Sequence, residues 1–177
     1  GFTLTGTPAD AAVAVYAVIN NLGTLTITGG GKILCNHTQD GSTSYAVNTI
    51  TNCGKLTIEN GTVENRSNGT KQIGYAIDNN STSRNAVTVI NGGEVKASGS
   101  VYYDGIRLFC NSLTYENTLT VNGGKVSSVW MQNPSDGSDG QNAKDVKGAV
   151  NITGGLPQGT RARASARERK KKERYRR

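Results

Sequence analysis

Large side chains are scarce in this chain of 177 residues, which has one Trp, one Met and two Phe. A large aromatic core is therefore excluded. The body is poor in Leu and Glu and rich in Gly, Asn and Thr, which are poor helix formers. That disfavours a helical bundle. No apolar run approaches 18 residues, so no helix spans a membrane. The stretch 11–19 is the nearest thing to a signal-peptide core. It lacks a basic leader and a small-residue cleavage site. The chain starts at Gly1, as expected of a processed product or a fragment.

Cysteine and histidine are equally sparse. Cys35, Cys53 and Cys110 cannot all pair with one another, and none forms a C-x-x-C. His37 is the only histidine and sits in a polar loop, as a surface side chain. The expectation is three free, partly buried thiols, with one disulfide and a spare thiol as the alternative. No metal and no cofactor is implied. The stretch Asp136-Gly137-Ser138-Asp139-Gly140 lacks the spacing and terminal Glu of a calcium loop and occurs once.

Charge is present but lopsided. The chain has 20 Lys+Arg against 13 Asp+Glu, a net +7. Ten of the cations lie in residues 157–177: Arg161, Arg163, Arg167, Arg169, Lys170, Lys171, Lys172, Arg174, Arg176 and Arg177. With Glu168 and Glu173 that segment carries +8, which leaves −1 for residues 1–156. Two parts follow: a nearly neutral domain over 1–156 and a basic tail over 157–177. The tail suits a helix or disorder. It would hold nucleic acid, an acidic partner or an anionic surface with salt-sensitive affinity, or be incidental.

What the body does have is a repeat. Leu25-Thr26-Ile27 recurs as Leu56-Thr57-Ile58, Val87-Thr88-Val89, Leu119-Thr120-Val121 and Val150-Asn151-Ile152, every 31 or 32 residues. Each is apolar–polar–apolar, the pattern of a strand with one buried face. A Gly-rich turn follows each, then a second strand: Lys32-Ile33-Leu34, Thr62-Val63-Glu64, Glu94-Val95-Lys96 and Lys125-Val126-Ser127. A third element precedes each: Tyr16-Ala17-Val18, Tyr45-Ala46-Val47, Tyr75-Ala76-Ile77 and Asp104-Gly105-Ile106. An equal period lets each strand pair with its equivalent one unit on. The fold class predicted is all-β: a right-handed parallel β-helix (β-solenoid) of about 31 residues per coil and four to five coils. The predicted inward columns are Leu25/Leu56/Val87/Leu119/Val150, Ile27/Ile58/Val89/Val121/Ile152 and Ile33/Val63/Val95/Val126. An outward row Thr26/Thr57/Thr88/Thr120/Asn151 lies between the first two. After Val126 the chain is expected to run through Trp130 and Met131 into the turn-rich loop 134–140, as an excursion or an irregular coil.

The units LTITGGGKI, LTIENGTVEN and LTVNGGKVSS, separated by YAVIN, YAVNT and YAIDN, resemble degenerate repeats of the right-handed parallel β-helix proteins. These include pectate-lyase-like enzymes, bacterial surface adhesins and phage fibre proteins. The resemblance implies architecture and not function, and no catalytic motif carries over.

The chemistry on offer is thin. Asp78 and Arg107 are expected to share a column with Ile19 and Asn48, and Asp104 lies nearby. A carboxylate pair would serve glycoside hydrolysis, and an arginine beside carboxylates would serve elimination; solvated surface charge is the plainer explanation. The Thr row raises ice binding, but the second outward column, Thr28/Glu59/Ile90/Asn122/Thr153, is irregular. The Asn-x-Ser/Thr sequons are an accident of composition. The expected function is a non-enzymatic structural or attachment protein, as a phage virion component (fibre, tail or capsid decoration). The first alternative is a bacterial cell-surface adhesin or carbohydrate-binding β-helix, and the second a polysaccharide lyase or glycoside hydrolase. Expected partners are other structural proteins or copies of itself, in a homo-oligomer such as a trimer. A glycan ligand, and nucleic acid or an acidic partner on the tail, complete the set. The expected location is a virion or the cell exterior.

Overall fold

The computed structural model describes residues 3–6, 15–36, 46–67, 74–99, 103–110, 112, 114–132, 148–154 and 156–157. Among these the regular structure is entirely β-strand. The strands form three parallel sheets. The first holds β1 (Thr3–Gly6), β4 (Lys32–Cys35), β7 (Thr62–Asn65), β10 (Glu94–Ala97), β13 (Lys125–Val126) and β16 (Leu156–Pro157). The second holds β2 (Val15–Asn21), β5 (Ala46–Asn52), β8 (Gly74–Asn80), β11 (Tyr103–Phe109) and β14 (Val129–Gln132). The third holds β3 (Thr24–Ile27), β6 (Lys55–Ile58), β9 (Ala86–Ile90), β12 (Asn117–Val121) and β15 (Gly148–Ile152). The chain visits the sheets in turn and each strand pairs with its successor one turn on. This is a parallel β-solenoid with a period near 31 residues. The basic tail and the loop 134–140 lie outside the described residues, as does His37.

The first sheet has the predicted register: Ile33, Val63, Val95 and Val126 stack in one inward column. The third sheet differs by one residue at β9. Leu56 pairs with Thr88, and Thr88 with Leu119; Ile58 pairs with Ile90, and Ile90 with Val121. The inward columns are thus Leu25/Leu56/Thr88/Leu119/Val150 and Ile27/Ile58/Ile90/Val121/Ile152. Val89, not Thr88, joins the outward row. A slip of one residue inverts every side chain of a strand, and here Thr88 and Ile90 are buried while Val87 and Val89 are only half-buried.

The predicted alignment of the three Tyr-Ala-Val/Ile segments does not hold in the second sheet. Tyr16 pairs with Val47, and the inward column is Ile19/Ile50/Ile77/Ile106/Val129. Its spacings are uneven because the corners change length. After 7–14 in the first turn, connections from the first sheet to the second shorten along the chain: 36–45, 66–73, 98–102 and 127–128. Connections from the second sheet to the third lengthen: 22–23, 53–54, 81–85, 110–116 and 133–147. The expected irregular coil after Val126 is also corrected. Val129–Gln132 forms β14, in register with β11.

The third corner keeps its length better and is closed by glycine. Gly61, Gly93 and Gly124 have positive φ and stack on one another. A Cβ on Gly93 would lie 2.4 Å from the Gly61 carbonyl oxygen, so both the conformation and the closeness of adjacent turns require glycine there. The core between the sheets is aliphatic: Ile50, Leu56, Ile58, Val63, Ile77, Ile90, Val95, Ile106 and Leu119 are fully buried. Cys53 and Cys110 are free thiols, and Cys35 Sγ lies 3.6 Å from the Ser67 hydroxyl. Cys35 and Cys110 are buried and Cys53 is half-buried, and burial pushes the Cys110 thiol up to about 11.

Candidate functional site

Two polar ladders bind successive turns. Inside, the Asn21 amide donates to the Asn52 carbonyl oxygen (2.7 Å), Asn52 to Asn79 (2.6 Å) and Asn79 to Asn117 (2.8 Å). All four are buried. The first three follow an inward isoleucine by two residues, at Ile19, Ile50 and Ile77, so the strand turns them inward at the corner. In the next turn Leu108 pairs with Met131 and takes the place in line with Asn79, and Asn117 of β12 supplies the amide instead. The buried Thr88 hydroxyl completes this network, donating to Asn79 Oδ1 (2.8 Å) and accepting from Asn52 Nδ2 (3.2 Å). Outside, the Asn91 amide donates to the Glu59 carboxylate (3.0 Å), Asn122 donates to Asn91 (2.9 Å) and the Thr153 hydroxyl to Asn122 (2.9 Å).

The structure brings Asp78 and Arg107 together. They are direct partners in β8 and β11. The Arg107 Nε donates to Asp78 Oδ1 (2.8 Å) and Nη2 to Oδ2 (2.7 Å), a bidentate pair. The column differs from the expected one: Thr51 and Trp130, not Ile19 and Asn48, align with them. Asn48 still reaches the carboxylate from the side, at 3.4 Å, and donates to Thr51 Oγ1. The Arg107 guanidinium lies 4.5 Å from the Tyr75 ring centre and 4.9 Å from that of Phe109. The Trp130 ring is 6.0 Å from Tyr75. These rings leave the Asp78 side chain 4% and the Arg107 side chain 15% exposed. Burial works against the Arg107 charge, but the hydrogen bonds and charge of Asp78 outweigh it and hold its pKa above the ordinary value. Asp104 pairs with Tyr75 through the backbone; its side chain lies outside the described residues, as do all ten cations of the tail.

A second charged group, not anticipated from the sequence, sits on the outer face of the first sheet. Glu64 Oε1 accepts from Arg66 Nε (2.9 Å) and from the Ser98 hydroxyl. Lys96 Nζ contacts Glu94 at 2.8 Å. The glutamate side chain is 4% exposed. Burial alone would raise its pKa, but the bonds from Arg66 and Ser98 and the charge of Lys96 hold it below the ordinary value. The signal was legible, since opposite charges at i and i+2 of extended chain share a face (Glu64 with Arg66 just past the end of β7, Glu94 with Lys96 within β10).

Both oxygens of Asp78 are occupied by one arginine, in a site nearly closed to solvent. Among the described residues no group of three His, Cys, Asp or Glu side chains gathers to hold a metal. An open groove of about 440 Å³ runs along the glycine corner between Asn60, Thr62, Glu94 and Lys125. The chain matches no protein-family model, no curated protein and no solved structure, so its function must be argued from this geometry alone.

Proposed function

We propose that the chain is a non-enzymatic structural or attachment element, a short rigid right-handed β-helix of four to five coils carried by a virion, as in a phage fibre, tail or decoration protein. The observation that carries this reading is the occupied carboxylate. An acid or base catalyst needs an oxygen free to exchange a proton with substrate, and Asp78 spends both on Arg107. Its neighbours Asn48, Thr51 and Tyr75 are also buried, which suits a fastening between turns. In this reading the body supplies rigidity and a binding face, and the tail holds an acidic neighbour or nucleic acid.

A glycan-binding surface solenoid is the second reading. It is favoured by the half-buried Trp130 and Phe109 rings grouped around Arg107, since aromatic faces bind the apolar faces of sugars. The test is incubation with a panel of pectins and other polysaccharides, reading reducing ends and unsaturated products. No product is expected. Release abolished by Asp78→Ala or Asp104→Ala would overturn the proposal in favour of a lyase or glycosidase. Retention on an immobilised glycan, lost in Trp130→Ala, would select the second reading.

A further inference from the structure

We infer that the outer face of the second sheet, at Phe109 and Trp130, binds an uncharged oligosaccharide rather than an acidic one. This rests on the glycan-binding reading above and adds the class of sugar. Asn80 pairs with Phe109, and Arg107 with Trp130. One strand spacing and two residues along the strand set the Phe109 and Trp130 Cα atoms about 8 Å apart, so one oligosaccharide spans both half-buried rings. The electron-rich face of an aromatic ring attracts the C–H groups of a sugar. Both rings are held in place. The Phe109 carbonyl accepts from the Asn117 amide (2.9 Å) and from the Ser81 N–H (3.3 Å), and Trp130 leans on the buried Tyr75 ring. A fixed platform loses little further freedom on binding.

Asn80 adds a directional group beside Phe109. Its Oδ1 accepts from the Thr82 N–H (3.1 Å) and from the Thr82 hydroxyl (2.6 Å). The Thr82 N–H can only donate, so the oxygen is fixed on that side and the amide nitrogen on the other. Nδ2 has no acceptor among the described residues. It is left to donate to a sugar hydroxyl or ring oxygen, one strand spacing from the ring.

Charge selects the class of sugar. Among the described side chains of the second sheet only Asp78 and Arg107 are charged, and they neutralise each other through two hydrogen bonds. Arg84, in the corner after Asn80, reaches the opposite way, with Nη1 donating to the Leu22 carbonyl of the first turn (2.8 Å). A carboxylate or sulfate on the sugar would lose water against this face for no net attraction. An uncharged pyranose meets what is offered, two rings and an amide donor.

Trp130 is the only tryptophan of the chain, so its emission reports on this face alone. The test is a fluorescence titration of the full chain with maltohexaose, cellohexaose, chitohexaose and hexagalacturonate, at low and high salt. The expected result is a saturable blue shift with at least one of the three neutral sugars. Salt should not change it, because no counterion is released, whereas binding through the tail would weaken. Asn80→Asp keeps the oxygen that Thr82 needs and removes the donor, and it should weaken binding about tenfold. Phe109→Leu, which keeps apolar bulk, should weaken it also. Circular dichroism checks folding, and Asn80→Asp carries the test if Phe109→Leu is unfolded. A shift with hexagalacturonate alone, or one suppressed by salt, overturns the uncharged class and leaves the glycan-binding reading standing. Binding unchanged in folded Asn80→Asp overturns the placement. No shift with any of the four sugars overturns the inference and the glycan-binding reading together.

Discussion

Asp78 and Arg107 form a bidentate pair nearly closed to solvent. Breaking a nearly buried pair strands one charge, at a cost of about 3–5 kcal/mol. Asp78→Asn and Arg107→Leu should each lower the denaturation midpoint, and the double variant should lose less than the sum of the two. Chemical denaturation of the four proteins gives the coupling, expected at about 2 kcal/mol. Strict additivity would mean that the contact contributes nothing. Glu64 sets a pH dependence. Its folded pKa lies below the ordinary 4.5, so the ionised form binds fewer protons when folded than when unfolded. Its stabilisation is fully present above about pH 4.5 and is lost as the pH falls through the lowered folded value. Thermal melts of the native chain should therefore drop over that acid range, and Glu64→Gln should flatten the drop. An unchanged slope in the variant would assign the acid sensitivity to other carboxylates.

Register is decided at the level of the strand, and β9 shows why the repeat alone misplaces it. Val87-Thr88-Val89 matches the apolar–polar–apolar template, yet the chain buries Ala86, Thr88 and Ile90. Two effects favour the slipped register. It buries Ile90 above Ile58, and it places the Thr88 hydroxyl among the amides of Asn52 and Asn79. The asparagine ladder that rewards this choice was hard to see in advance, because its members stand 31, 27 and 38 residues apart. The period of the Leu-Thr-Ile segments revealed the architecture. The ladder is a tertiary network and has no fixed period. Substitution separates the two registers. Val89→Lys should change stability by no more than about 1 kcal/mol, as at other outward positions. Thr88→Val should cost about 1–2 kcal/mol through lost hydrogen bonds, and Thr88→Lys should prevent folding. If Val89→Lys unfolded the protein and Thr88→Lys did not, β9 would have the register of the simple repeat.

Across the whole molecule, the period survives because length moves from one corner to another. As the connections between the first and second sheets shrink from 36–45 to 127–128, those between the second and third grow from 22–23 to 133–147. The third sheet therefore repeats almost evenly and was legible except at β9, whereas the second sheet was not. Asp78 and Arg107 were correctly placed side by side, since their turn keeps the expected 29-residue step. The aromatic cover over them was missed, because Trp130 enters after a connection of only two residues, 127–128. Charge divides along the chain in the same plain way: −1 over residues 1–156 and +8 over 157–177. Each turn draws its stability mainly from its neighbours, so a segment beyond the last strand should be removable. Cutting after Pro157, which keeps β16 paired with β13, should change the body's stability by no more than about 0.5 kcal/mol. The same cut should abolish retention on a polyanion column. For the full chain, affinity should fall steeply with salt, because each phosphate or sulfate engaged releases a counterion. Denaturation and polyanion binding by the intact and shortened chains check both halves. Polyanion binding that survived the cut would relocate the anion site to the body, where Lys32, Lys55 and Lys125 are exposed.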